Sequence, residues 1–392
     1  MIEPIPSASN SATATTTITP TPSSTPSAAP STDGYVERTP CPDQPTAIAQ
    51  EYGHLPRGPR GVAVALRRHV GTKSSADLTE ELLLVSLDDP TKVVRLTDCV
   101  LAVRYLGGVA TESGVDVYFN EAAPRGGEDG GQKVDLVRLR LPAGTRTVLF
   151  SYQSGHGALT PTCCGASLRA GRYFAYYNDS GLRIRDLQTQ EDRLLFRHGT
   201  GCKSPFGPDE TTECYGNADP VWSSDGQYVV FMREFWEWTS WWIMPADGSS
   251  RPRRLQAPDA AIRWNAVTAR DCAVTRRSDA EAPKSGYSLS GCAFDSSGRS
   301  LHRFVWDSQV PPPEREYSFL QLRGADDRAV WLTGSGLYIN TWTRDGTAVV
   351  VSEMNGAGDW SRHSWRFFLM DMAGTTTPIA IPASDVLMLL PR

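Results

Sequence analysis

Apolar and β-branched positions recur along the chain in short alternating runs, broken at close intervals by Asp, Gly, Pro or Thr. Six segments share nearly the same form: VSLDDPTKVVRL (85–96), VRLRLPAGTRTVLF (137–150), IRDLQTQEDRLLF (184–196), IMPADGSSRPRRL (243–255), CAFDSSGRSLHRF (292–304) and FLMDMAGTTTPIAI (368–381). Each reads as strand, tight turn, strand, because the central residues supply positive φ or local side-chain hydrogen bonds while the flanks are strand formers. Five of the six follow a second hairpin: VLAVRYLGGVATESGVDVYF, GASLRAGRYFAYYN, PVWSSDGQYVVF, WNAVTARDCAVT and INTWTRDGTAVVV. Two consecutive hairpins make a four-stranded antiparallel unit.

Units of this kind, recurring about every 50 residues with almost no helical periodicity between them, predict an all-β chain folded as a β-propeller. The spacing widens once, where YSFLQLRGADDRAVWLTG (317–334) adds a hairpin between the fifth and sixth units. That segment is either an insertion or half of a degenerate seventh blade; six blades is the preferred count and seven the alternative. Unit one offers only RGVAVALRRH, ELLLVSL and KVVRLT. Its missing strand is expected from VLMLL (386–390), which would close the ring as a clasp and remove the open edges a propeller cannot leave unpaired.

PVWSSDGQYVVF followed by WWIMPADGSSRPRRL is similar to the repeat of the TolB-type six-bladed propellers, WD40-like proteins whose blades read approximately P-x-W-S-P-D-G-x-x-I-x-F and then I-Y-V-M-D-x-D-G-x-x-x-R-R-L. WTRDGTAVVV and FLMDMAGTTT match in part. The resemblance spans nearly all of 60–390 as a repeat pattern, while its sequence-specific part rests on two blades. Asp225 and Gly226, like Asp345 and Gly346, are expected to form tight turns, and Trp222 and Trp342 to pack between blades. The resemblance implies a fold and a habit of binding proteins or peptides. It implies no reaction, because function lives in sites grafted on the propeller.

Residues 7–32, almost wholly Ser, Thr, Ala and Pro, cannot bury enough surface to order themselves. The expected organisation is a disordered spacer over 1–40 and a propeller over 41–392. Such a spacer suits an extracytoplasmic domain, periplasmic, cell-surface or secreted, tethered to an envelope behind a removed or unannotated leader. A formal net charge of -5 with Lys and Arg scattered singly argues against nucleic acid as a partner. No apolar run is long enough to span a membrane.

The eight cysteines include no zinc-type C-x-x-C pairing and favour an oxidising compartment. Cys202 and Cys214 bracket the polar loop KSPFGPDETTE, where a disulfide would staple the connection. Cys272 and Cys292 fall on segments read as neighbouring strands, and Cys163 and Cys164 have Cys99 and Cys41 as candidate partners.

FMREFWEWTSWWIMPADG (231–248) concentrates Trp236, Trp238, Trp241 and Trp242. Trp241 and Trp242 are expected to pack on a strand. REFWEWTS is expected to form a loop in which Arg233, Phe235, Trp236 and Trp238 either present aromatic surface for binding or fold over the blade edge. Trp360, Arg362, His363 and Trp365 make a second aromatic and basic cluster with the same two readings. Glu128 and Asp129 lack Ca-loop spacing, no two histidines share a ligand spacing, and exposed loop histidines are the default. GYSLSG lacks the last glycine of a nucleophile elbow.

No cofactor or metal motif is present, and no catalytic residue is assigned. The favoured function is a monomeric, non-enzymatic binding or scaffold propeller that recognises a protein, peptide or glycan through loops on one face. The alternative is a propeller hydrolase or lyase with acid, base or metal ligands converging at the mouth of the central channel.

Overall fold

In the computed structural model, the structure describes residues 55, 58–69, 79–100, 102–122, 133–153, 166–178, 180–197, 220–235, 238–256, 262, 287–306, 318–326, 328–334, 336–355 and 364–391. Its first strands are β1 (Val62–His69), β2 (Thr79–Ser86) and β3 (Val93–Arg95), followed by β4 (Ala102–Thr111), β5 (Gly114–Ala122), β6 (Lys133–Leu141) and β7 (Thr145–Gln153). Next come β8 (Ala166–Arg169), β9 (Tyr173–Asn178), β10 (Gly181–Asp186) and β11 (Asp192–Arg197), then β12 (Val221–Trp222), β13 (Tyr228–Phe235), β14 (Trp238–Pro245) and β15 (Arg253–Arg254). The last are β16 (Tyr287–Phe294), β17 (Ser300–Trp306), β18 (Ser318–Arg323), β19 (Ala329–Gly334), β20 (Tyr338–Trp342), β21 (Ala348–Asn355), β22 (Ser364–Asp371), β23 (Thr376–Ile379) and β24 (Asp385–Leu389).

These strands form six four-stranded antiparallel sheets, five of them sequential and the sixth ordered β24-β1-β2-β3. The first strands of neighbouring sheets meet, β4 with β8, β8 with β12, β16 with β20 and β20 with β24, so they form the inner ring. The chain is a six-bladed β-propeller, closed by its C-terminal strand. β24 pairs with β1 through Ala63↔Leu389, Val64↔Met388, Ala65↔Val386 and Leu66↔Asp385, so the clasp read from VLMLL is present.

Among the described residues, five of the gaps between blades carry a core built by both neighbours, which is why many strands read apolar on both faces rather than alternating. Val62, Val64 and Leu66 on one face of β1 pack with Val117 and Phe119 of the second blade. Ala63 and Ala65 on its other face pack with Val350, Phe367 and Val386. The outer strand β7 has water on one side and shows the alternation lost elsewhere, with Tyr152 buried between exposed Ser151 and Gln153.

The hairpin 317–334 is neither an insertion nor part of a seventh blade. It supplies β18 and β19, the outer half of blade five, and CAFDSSGRSLHRF supplies the inner half, β16 and β17. WNAVTARDCAVT, read as the inner half, lies outside the described residues. The misphasing has a physical source. An Asp capping its own turn serves both hairpin types: Asp295 accepts from the N–H of Ser297 and Arg299 in an inner hairpin, and Asp371 accepts from Ala373 and Thr375 in an outer one. Turn chemistry alone therefore cannot say which half of a blade a hairpin forms.

The Asp-Gly turns do more than reverse the chain. Arg169 Nη2 donates to Asp225 O at 2.8 Å and Arg299 Nη2 donates to Gly346 O at 2.7 Å, each from the preceding blade. Gly226 has φ of +73°, and a Cβ there would stand 1.8 Å from Arg169 Nη1. Glycine is thus required both for the left-handed backbone and for the close approach of the arginine. Arg193 reaches the carbonyls of Ala246 and Asp247, and Arg344 Nη2 reaches Leu390 O just beyond the clasp strand. Trp222 and Trp342 pack between blades as expected, with Trp342 Nε1 donating to Ala293 O at 2.9 Å.

Candidate functional site

The two ends of the ring differ. First-to-second and third-to-fourth strand turns gather on one face, and there the chain reverses within such segments as 142–144, 170–172, 223–227, 295–299 and 343–347. The arginine staples described above sit on this face. The strand ends of the other face are joined by 70–78, 123–132, 154–165, 198–220, 255–286, 307–317 and 356–363. All the long connections belong to that end.

The tryptophan-rich segment also reaches this end, but not as the loop expected for REFWEWTS. β13 and β14 stay paired out to Phe235↔Trp238, so Arg233, Phe235 and Trp238 are strand residues. Aromatic residues and Thr favour extended backbone, and REFWEWTS contains none of the Gly, Pro, Asn or Asp that would have turned the chain earlier. Trp236 lies outside the described residues, between the two strand ends. Trp241 and Trp242 are half-buried against a core of Trp222, Phe231 and Met244, which agrees with their reading as packing residues.

Trp360, Arg362 and His363 lie outside the described residues, as do Glu128, Asp129, Cys202, Cys214 and Cys272. Trp365 is described at the start of β22, half-buried, with its ring edge-on to Tyr338 at 5.5 Å. Cys99 and Cys292 are the cysteines among the described residues, and neither is a free thiol.

A second assembly near the same face escaped the sequence reading. Arg67 and His69 on β1 meet Glu81 on β2 and Arg95 on β3. His69 Nε2 lies 2.9 Å from Glu81 Oε1, Arg67 Nη1 3.2 Å from the same oxygen, and Arg95 Nε 2.5 Å from Oε2. Both Glu81 and His69 are fully buried. Burial pushes the Glu81 carboxyl up, but the His69 hydrogen bond and the charges of Arg95 and Arg67 outweigh it and hold the group below the usual glutamate range. Arg67 Nε also donates to Pro382 O at 2.6 Å and Arg95 Nε to Thr97 O at 2.9 Å, so the network ties blade one to the segment leading into the clasp.

Ligand atoms of His69, Glu81 and Cys99 lie within 4.8 Å of one another. The donor set does not suit a cation. Two guanidinium groups already occupy the carboxylate oxygens, Arg95 Nη2 stands 3.2 Å from Cys99 Sγ, and that sulfur is not a free thiol. The assembly is a buried ion network. It also corrects the expectation that histidines would lie in exposed loops, since His69 and His302 are both buried in strands. The signal was present in the chain: RRH ends an apolar strand, EE begins the strand that pairs with it, and opposite charges at matched ends mark a cross-strand network.

No family model matches the chain, and no curated protein matches it. Solved structures similar to it include TolB from Acinetobacter baumannii, at 11% identity over 88% of this chain and 70% of that one, with a TM-score of 0.46. A nidogen/laminin complex structure is similar at 13% identity over 84% and 98% of the two chains, with a TM-score of 0.40. A third is from an analysis of two prolyl endopeptidases, at 12% identity and a TM-score of 0.42, where 81% of this chain covers 50% of that one. The class assigned here, a six-bladed propeller of four-stranded antiparallel blades, rests on the strand order itself.

Proposed function

We propose that the protein is an extracytoplasmic propeller that binds a protein, peptide or glycan through the face bearing its long connections and catalyses no reaction. The observation that carries this reading is the asymmetry between the ends of the ring. One end is trimmed to tight turns and fastened from blade to blade by Arg169, Arg193, Arg299 and Arg344. The other sends out every long connection, including 356–363 with Trp360 to His363, and also carries the end of the β13–β14 hairpin, where Trp236 stands between the two strands. A rigid ring that displays variable loops at one end is suited to recognition, because the scaffold bears the ordering cost and the loops supply the contacts. Aromatic side chains with neighbouring Arg are the residue types that dominate contact energy in such surfaces.

Extracytoplasmic residence is supported by the Ser/Thr/Pro spacer and by the bonded state of Cys99 and Cys292. Pairing of Cys202 with Cys214, and of Cys272 with Cys292, belongs to this proposal. Among the described residues no helix is long and apolar enough to cross a membrane.

Peptide and glycan arrays probed with the intact chain test the reading. Replacing both Trp236 and Trp238 with Ala should abolish the strongest array signals while the melting transition moves by no more than about 0.5 kcal/mol, the usual range for exposed substitutions. An Arg193→Ala variant, altered on the turn face, should keep those signals. Full array binding by the double Trp variant, or early unfolding of it, would count against recognition by this segment.

A further inference from the structure

Arg303 on β17 is a half-buried cation in a setting unlike that of Arg67, Arg95, Arg183 and Arg185, each of which meets a glutamate or an aspartate. Its partners are neutral. Nε donates to Leu337 O at 2.9 Å and Nη1 donates to Ser290 Oγ at 2.9 Å, while that hydroxyl donates to Arg303 O at 3.2 Å. The guanidinium carbon stands 4.1 Å from the centre of the Tyr338 ring. Among the described residues no carboxylate reaches Arg303, and its hydrogen bonds leave Nη2 without a carbonyl or carboxylate acceptor. Burial holds the group below the usual arginine range, and Tyr338 opposes that shift.

Ser290 reaches the guanidinium because β16 bulges there: the register with β17 shifts between Leu289 and Gly291, so the extra residue is left unpaired and its side chain is re-aimed. The assembly lies at the inner rim of the long-connection face. Tyr338 opens β20, the inner strand of blade six, and Arg303 is near the end of β17 that meets the same face. The approach is open, since Gly336, next to Leu337, is exposed and a Cβ there would meet nothing within 4 Å. Trp365 meets the Tyr338 ring edge-on, and its buried Nε1 has no acceptor among the described residues. Donors thus gather around Tyr338 with one positive charge uncompensated, a costly arrangement that an entering anion would relieve.

We propose that Arg303, with Ser290 and Tyr338, forms a subsite for the side-chain carboxylate of an acidic peptide. The class of partner rests on the recognition reading above, whereas the preference for an anion rests on Arg303 itself. A guanidinium nitrogen and a hydroxyl match the two oxygens of a carboxylate, and offer fewer donors than a phosphate accepts. Arg303 is half-buried against the Tyr338 ring, so a carboxylate on a flexible stem reaches it more readily than that of a uronic acid, which is fixed to its sugar ring.

The direct test titrates the intact chain with N-acetylglutamate α-amide and follows the Arg303 Nε–H resonance, assigned by its loss in Arg303→Lys. A saturable shift is expected, with none from the glutamine counterpart. On peptide arrays, Arg303→Gln should weaken capture of acidic peptides about tenfold or more and leave neutral ones unchanged, as for loss of a hydrogen bond to a charged group. An unresponsive resonance, or an equal response to the glutamine compound, would overturn the subsite. Saturation by glucuronate where the glutamate compound has no effect would assign it to an acidic glycan and overturn the peptide assignment. A titration that succeeds while the arrays bind nothing supports the anion site and sinks the recognition reading; array binding beside an unresponsive Arg303 does the reverse. Should Arg303→Gln fail to fold, the wild-type titration decides alone.

Discussion

A chain truncated after Pro382 should fail to form a cooperatively folded domain at ordinary growth temperatures. The truncation removes Ala383, Val386 and Leu390, all buried, together with Met388 and Leu389, which pack on the cores at either side of blade one. At about 1.5–3 kcal/mol for each fully buried aliphatic side chain, the loss is about 5 kcal/mol or more, a large share of the 5–15 kcal/mol that typically separates folded from unfolded states. It also strips β1 of its inner partner β24 and leaves an open edge at the inner ring, and the Arg344 staple loses its Leu390 acceptor. Thermal unfolding followed by circular dichroism checks this. A peptide spanning residues 383–391, added to the truncated chain, should restore part of the transition. A truncated chain that melts within a few degrees of the full one would show that ring closure by β24 is dispensable.

The second large effect is expected at Glu81. Glu81→Ala leaves Arg67 and Arg95 facing each other across an emptied buried site, and removing one member of a buried ion network typically costs about 3–5 kcal/mol. Glu81→Gln should cost less, since an amide oxygen still accepts from one guanidinium, and denaturant midpoints of the two variants should fall in that order. Glu81 is held below the usual glutamate range, so its contribution is complete above that range and is lost only as pH falls through the folded value. The wild type should therefore lose stability relative to Glu81→Gln only in strong acid. An Ala variant as stable as the wild type would show that the network contributes nothing net.

Much of the fold is legible in the chain because propeller hairpins are local. Strand, turn and strand lie within a dozen or so neighbouring residues, and features such as Asp225-Gly226 and Asp345-Gly346 mark turns whose partners are adjacent in sequence. Even the clasp was readable, by noticing that unit one lacked a strand and that VLMLL had none to join. The phase of blade five was not readable, since Asp-capped turns serve both hairpin types. The end of the β13–β14 hairpin was misread for a different reason: Phe235 and Trp238 look like loop-borne contact residues by type, but their backbone preference keeps the ladder going.

The Glu81 network was missed because it gathers residues from three strands, and no spacing rule applied to one segment finds it. Its charged residues were visible in the chain; their convergence was not.

The division of labour between the two faces is tested most directly by a hydrogen-exchange footprint of the intact protein, free and saturated with whichever array peptide or glycan binds most tightly. The account predicts that new protection falls in 70–78, 123–132, 154–165, 198–220, 255–286, 307–317 and 356–363 and around the Phe235–Trp238 strand ends, with the turns at 223–227, 295–299 and 343–347 unchanged. Protection centred on those turns and their arginine staples, with the long connections unaffected, would contradict it.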